Sequence, residues 1–126
     1  MSSEGRGGRA ATTRGALEAA LRAGRRALQL VAADGMDSYL VNEERQLAVE
    51  RLLLRFGEAL KAVPEDVLNA VDPAQDWIGP RRFRDLAAHW YTEGLDHRLI
   101  WRALRNELPQ ATNAIERFLQ ADEPSD

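Results

Sequence analysis

The 126-residue chain has no cysteine and only two histidines. Without cysteine there are no disulfides and no thiolate metal ligands. That composition fits a reducing compartment, and a cytoplasmic location is expected. Neither histidine belongs to a His-x-x-x-His or His-Glu-x-x-His spacing, so no zinc site, no other metal and no cofactor are expected. No apolar run approaches the ~20 residues of a membrane helix. The N-terminus lacks the apolar stretch of a signal peptide, and no membrane association is expected. The chain also shows no glycine-rich phosphate loop, no Ser-His-Asp order and no internal repeat, which excludes the usual signatures of an ATP user.

What remains is the composition of an ordinary single domain, 44% hydrophobic and 29% charged, with enough chain to build a core of its own. The net charge of −3 excludes a generally basic nucleic-acid coat. Charge is nevertheless uneven. Between Gly79 and Arg105, Arg81, Arg82, Arg84, Arg98, Arg102 and Arg105 face only Asp85, Glu93 and Asp96. Such a local patch suits a few phosphates rather than tight binding along a duplex.

Apolar spacing predicts an all-α fold, an antiparallel bundle of four to five helices. Residues 1–13 are small, polar and glycine-rich and are expected to be a disordered tail. Residues 14–120 form the domain, and 121–126 a short acidic tail. The first helix is expected from about Arg14 to Ala33, with Leu17, Leu21, Gly24, Leu28 and Val31 as its buried stripe. Gly24 costs about 1 kcal/mol of helix propensity against alanine, so another helix is expected to come close there. Asp34-Gly35 is a stop. A connector with room for a short helical turn leads to Asn42, the N-cap of a second long helix reaching Val63. Its stripe is Val49, Leu53, Phe56, Leu60 and Val63. Ala48, Leu52 and Ala59 widen it, enough for contact with the core and with a second subunit. Pro64 ends this helix, and Glu65 to Ala70 can form one short one. After a loop with two prolines, Pro80 opens a helix to about Thr92. Asp96 caps the next, with Ile100, Leu104 and Leu108 facing inward. Pro109 breaks or kinks that helix. A last segment, Gln110 to Gln120, packs through Ala111, Ile115 and Phe118. His97 reads as a surface residue or as a helix start opposed by the dipole.

The helix from Pro80 carries the chemistry. It holds Arg84, His89 and Tyr91 in the order Arg-x4-His-x-Tyr, with Arg81, Arg82 and Asp85 beside them. A neutral imidazole accepts a proton near pH 7. A guanidinium holds a phosphate through a planar fork of donors, and a phenol supplies a hydroxyl. These are the parts of a metal-free phosphodiester cleavage. The plainer reading is a core histidine beside Trp90 and a solvated arginine face. Geometry adds a constraint: five residues turn an ideal helix by about 500°, leaving Arg84 and His89 about 140° apart. Two copies of the helix facing each other across a two-fold axis would bring both groups to one cleft.

Arg84-x4-His89-x-Tyr91 resembles the Arg-x(4–6)-His-x-Tyr signature of the HepT-like toxins, within the HEPN superfamily of all-α ribonucleases. Phe56-Gly57-Glu58-Ala59-Leu60, Leu95-Asp96 followed by Ile100-Trp101, and Leu108-Pro109 match other blocks of that family in order and spacing. The resemblance covers about residues 14–120. It implies a HEPN-like homodimer with a composite site, acting as a metal-independent endoribonuclease toxin of a type VII-like toxin–antitoxin system. Arg84 and His89 would be catalytic, Asp85 and Tyr91 supporting, and Arg81 and Arg82 RNA-binding. It also implies an MNT-type nucleotidyltransferase antitoxin that attaches AMP to Tyr91. Trp90 departs from the family, where a small residue, often glycine, separates the histidine from the tyrosine. The alternative is a non-catalytic helical RNA- or substrate-binding partner of a nucleotidyltransferase.

Overall fold

The computed structural model describes residues 2–33, 35–74 and 96–121, with side chains from residue 12 onward. These residues form six helices and no strand: α1 Ser2–Ala32, α2 Met36–Leu40, α3 Glu43–Lys61, α4 Glu65–Val71, α5 His97–Asn106 and α6 Leu108–Ala121. The all-α architecture expected from apolar spacing holds. α1 is the hub. It packs along α3, α6 and α5, while α2 bridges α3 and α5.

α1 begins at Ser2 rather than near Arg14, so no break in the helix marks the expected boundary at residue 13. Nothing between Ser2 and Arg14 is a strong stop. Gly5, Gly7 and Gly8 each cost about 1 kcal/mol in a helix, but extending an existing helix avoids the cost of a new nucleus.

Leu17, Gly24 and Val31 of the predicted stripe are buried, while the rest of the buried face differs. Leu17, Ala20, Ala23, Ala27 and Val31 are buried, while Leu21 and Leu28 flank the core half-buried. Choosing the leucines put the centre of the face too far to one side. The small alanines let neighbouring helices approach, and the long leucines reach in from the edges. Gly24 shows how close that approach is. A methyl group built there would meet Phe56 at 3.3 Å and Thr112 at 2.7 Å.

α3 follows its predicted stripe: Val49, Leu53, Phe56 and Leu60 are buried, with Gly57 beside them. The Asn42 side chain accepts from the Arg45 backbone N–H at 3.0 Å, capping the helix as expected. Glu43 and Glu44 occupy the first turn and Lys61 the last, each favourable to the helix dipole. The start of α3 is tied to its neighbours by side chains. Gln46 donates to the carbonyls of Tyr39 (3.0 Å) and Leu40 (2.9 Å), and Arg45 donates to the Leu30 carbonyl (3.0 Å).

Asp96 caps α5, accepting from the N–H groups of Arg98 (3.1 Å) and Leu99 (3.4 Å). Ile100, Leu104 and Leu108 are fully buried, each worth about 1.5–3 kcal/mol relative to exposure. The chain turns at Glu107 and α6 starts at Leu108. Pro109 therefore lies in a first helical turn, where its missing N–H leaves no bond unmade. Along α6, Ala111, Ile115 and Leu119 are buried and Phe118 packs at the edge of the core.

Candidate functional site

Arg81, Arg82, Arg84, Asp85, His89 and Tyr91 all fall within residues 75–95, outside the described residues. The expected helix from Pro80 to Thr92 lies there too, as does Trp90. Their supports on either side are described. α4 delivers the chain to Asp72, with Leu68 and Val71 buried and the Asp72 N–H bonded to the Leu68 carbonyl at 3.1 Å. α5 takes it up again at Asp96. Both ends of the motif segment thus leave from helices anchored in one core.

At the start of α5, immediately after the motif segment, three polar side chains from three helices meet. His97 Nδ1 lies 2.9 Å from the Tyr39 hydroxyl of α2. Its Nε2 lies 3.7 Å from Glu50 Oε1 of α3. The tyrosine and imidazole rings meet edge to face, 5.5 Å between centroids. The expectation that His97 is a surface residue is corrected: its side chain is only 14% exposed. No periodicity could have shown this contact, because the partner is 58 residues away in the chain.

The electrostatics of this cluster favour neutral forms. Burial raises the Tyr39 phenol well above the usual tyrosine range, and the Glu50 carboxylate adds to that. Burial also raises the Glu50 carboxyl. It lowers His97, against the smaller opposing pull of Asp96. Burial works against an ion pair between His97 and Glu50 across their 3.7 Å separation. At 3.7 Å the contact is too long for a good hydrogen bond. The Tyr39 hydroxyl and His97 Nδ1 share one hydrogen bond, whose donor is set by the imidazole tautomer.

Tyr39 is fully buried, and His97 and Glu50 are mostly so. The cluster is a clamp that fixes the first residue of α5 to α2 and α3. Further along α5, Arg98, Arg102 and Arg105 are exposed. The Arg105 guanidinium lies 5.2 Å over the Trp101 ring, a cation–π contact that holds it against the helix. These three are the described part of the basic patch read from the sequence. Among the described residues, no group of three His, Asp or Glu side chains could hold a metal ion. None of the described helices is long and apolar enough to cross a membrane.

Residues 20–118 match the family model described as Ribonuclease HepT-like. That span takes in most of the core and the Arg84-x4-His89-x-Tyr91 motif. The chain is 36% identical over 90 residues to a Methanocaldococcus jannaschii protein named "Putative RNase MJ0127", covering 71% of this chain and 73% of that one. It is 31% identical over 82 residues to "Probable ribonuclease HepT" of Thermococcus cleftensis, covering 65% and 73%. No solved structure matches the chain significantly. With a family match across most of its length and relatives covered over more than two thirds of theirs, the chain belongs to the HepT-like ribonuclease family.

Proposed function

We propose that this chain is a metal-independent endoribonuclease that works as a homodimer and serves as the toxin of a type VII-like toxin–antitoxin pair in the cytoplasm. The observation that carries the reading is the family match over residues 20–118, which includes Arg84-x4-His89-x-Tyr91. The described helices add support, because they anchor both ends of the segment bearing that motif.

His89 acts as general base on the 2′-hydroxyl of RNA. The 2′-oxygen attacks the adjacent phosphorus and the bond to the 5′-oxygen breaks. The products are a 2′,3′-cyclic phosphate and a 5′-hydroxyl, the latter taking up a proton. Arg84 stabilises the negative charge that builds on the phosphoryl oxygens. Asp85 orients Arg84 or His89, Tyr91 contacts the phosphate or leaving group, and Arg81 and Arg82 hold flanking phosphates. Two copies of the motif helix form the cleft, which resolves the angular separation of Arg84 and His89 on one helix. An MNT-type nucleotidyltransferase antitoxin silences the enzyme by attaching AMP to Tyr91. The added phosphate repels RNA and occupies the arginines.

The test is cleavage of single-stranded RNA by the purified protein in the presence of a metal chelator, with His89→Ala alongside. A drop of about 10²–10⁴-fold is expected, together with no cleavage where the scissile nucleotide is 2′-deoxy. Equal cleavage by both proteins would eliminate the nuclease and leave a non-catalytic RNA-binding partner. Incubation with the nucleotidyltransferase and ATP should add AMP to wild type and not to Tyr91→Phe, read by mass.

A further inference from the structure

A groove of about 500 Å³ runs along the seam between α1 and α3, within the range of sites that take nucleotide-sized ligands. Its apolar floor includes Ala19 and Ala23 of α1 and Leu52 of α3, and Arg22, Arg26 and Arg55 line it. The four α1 residues fall at i, i+3, i+4 and i+7, so one helix face presents them together. Small side chains at 19 and 23 leave depth between the guanidinium-bearing stems. Leu52 and Arg55 stand about one turn apart on α3. One carboxylate, Glu58, borders the groove, and it is engaged by Lys61 Nζ at 3.3 Å.

These arginines differ from Arg14, Arg25 and Arg45 on the same two helices. Arg14 pairs with Glu18 at 3.1 Å, Arg25 pairs with Glu116, and Arg45 donates to the Leu30 carbonyl. Arg26 reaches only the neutral Gln29 side chain at 3.2 Å. Arg22 and Arg55 make no hydrogen bond or ion pair among the described residues. Arg22 and Arg26 also stand four apart on one helix, a like-charge spacing that destabilises the helix until an anion sits between them.

We propose that this groove is a phosphodiester-binding site for single-stranded RNA, built from α1 and α3 and separate in sequence from the Arg84–His89 motif. The identity of the ligand rests on the ribonuclease reading above; the anion preference rests on the groove itself. Guanidinium forks match phosphate oxygens, while the apolar floor suits a sugar or base face. An acidic peptide would satisfy the arginines but leave that floor without a fitting partner. The site adds backbone contacts that carry no sequence information.

The experiment measures binding of a fluorescent 20-nucleotide mixed-sequence RNA to full-length His89→Ala protein by anisotropy, across a salt series. Wild-type cleavage of the same RNA runs in parallel. In the His89→Ala background, Arg22→Gln/Arg55→Gln should weaken binding about tenfold or more at low salt. It should also reduce the salt slope by roughly 1.4, about 0.7 for each single-strand phosphate that is no longer neutralised. Arg117→Gln, exposed on α6, should leave both unchanged. If the groove variant binds with the parent's affinity and slope while wild type still cleaves, the groove assignment is wrong and the ribonuclease reading stands. If the parent does not bind RNA and wild type does not cleave it, both fall. A ten-residue polyglutamate peptide that displaces the RNA from the parent at equal concentration overturns the choice of RNA in favour of an acidic protein partner.

Discussion

Gly24 of α1 and Thr112 of α6 touch so closely that a Cβ on the glycine would lie 2.7 Å from the threonine methyl. The contact is locked from the α6 side. The Thr112 hydroxyl donates to the carbonyls of Leu108 and Pro109, both at 3.1 Å, so its methyl cannot rotate away without giving those bonds up. Gly24→Ala should therefore destabilise the fold by about 1–3 kcal/mol through overpacking, despite the gain in helix propensity. Thr112→Ser keeps the hydroxyl and removes the methyl, so adding it should recover part of the loss. Urea denaturation of the single and double variants measures this. A single variant more stable than wild type would show that the two helices part easily.

The Tyr39–His97 hydrogen bond joins α2 to the first residue of α5. Tyr39→Phe removes the hydroxyl and leaves His97 Nδ1 without that partner in a place with little water. The expected loss is about 1–2 kcal/mol, read from the urea midpoint near neutral pH. Full stability in the variant would mean that the hydroxyl contributes nothing to the clamp.

The same cluster should make stability depend on pH. Burial holds His97 below its ordinary value of 6.5, so the folded protein binds that proton more weakly than the unfolded chain. The stabilisation is complete above about pH 6.5 and is lost as pH falls through the lowered folded value. Glu50 has the opposite sign. Burial raises it above 4.5, so the unfolded chain releases its proton first and stability falls as pH rises from 4.5 through the folded value. His97→Gln should flatten the acid-side loss, and Glu50→Gln should remove the fall on the other side. Urea midpoints between about pH 4 and 8 for the three proteins decide it; parallel curves would mean that neither group is linked to folding.

Asp96 has two roles at one position. Its carboxylate caps α5 and also pulls the His97 pKa upward. Asp96→Ala should cost about 1 kcal/mol through loss of the cap and speed hydrogen exchange at the Arg98 and Leu99 amides. Asp96→Asn should keep much of the cap and lower His97 further. An Asp96→Asn variant with an unmoved His97 titration, followed by NMR, would remove the electrostatic half of this argument.

For the proposed chemistry, Arg84→Ala and His89→Ala should each abolish most RNA cleavage without unfolding the chain, and combining them should cost little more than either alone, as expected of groups acting as a unit. Single-turnover cleavage with circular dichroism on the same samples is the check. Additive losses would place the two residues in separate events.

Much of the fold was legible in the chain because helices announce themselves locally. Asn42 and Asp96 sit where a cap is needed, and α3 repeats apolar residues at helical spacing. Pro109 marks a restart, since proline belongs in a first turn. Gly24 was legible as a close approach because a glycine within a buried stripe has little other use. The reading failed where the determinant was not local. The buried face of α1 is centred on alanines, which periodicity undervalues against leucines. Its start at Ser2 was missed because weak helix formers continue a helix they could not nucleate.

The sequence alone determined the all-α class, the cap and stop positions and the Arg84-x4-His89-x-Tyr91 order, because each depends on residues within a few positions of one another. Tertiary structure decided which neighbour Gly24 meets, that His97 closes a clamp with Tyr39 and Glu50, and that Arg22, Arg26 and Arg55 line one groove. Those relationships join residues far apart in the chain. They exist only once packing of α1 against α3 and α6 has set the distances.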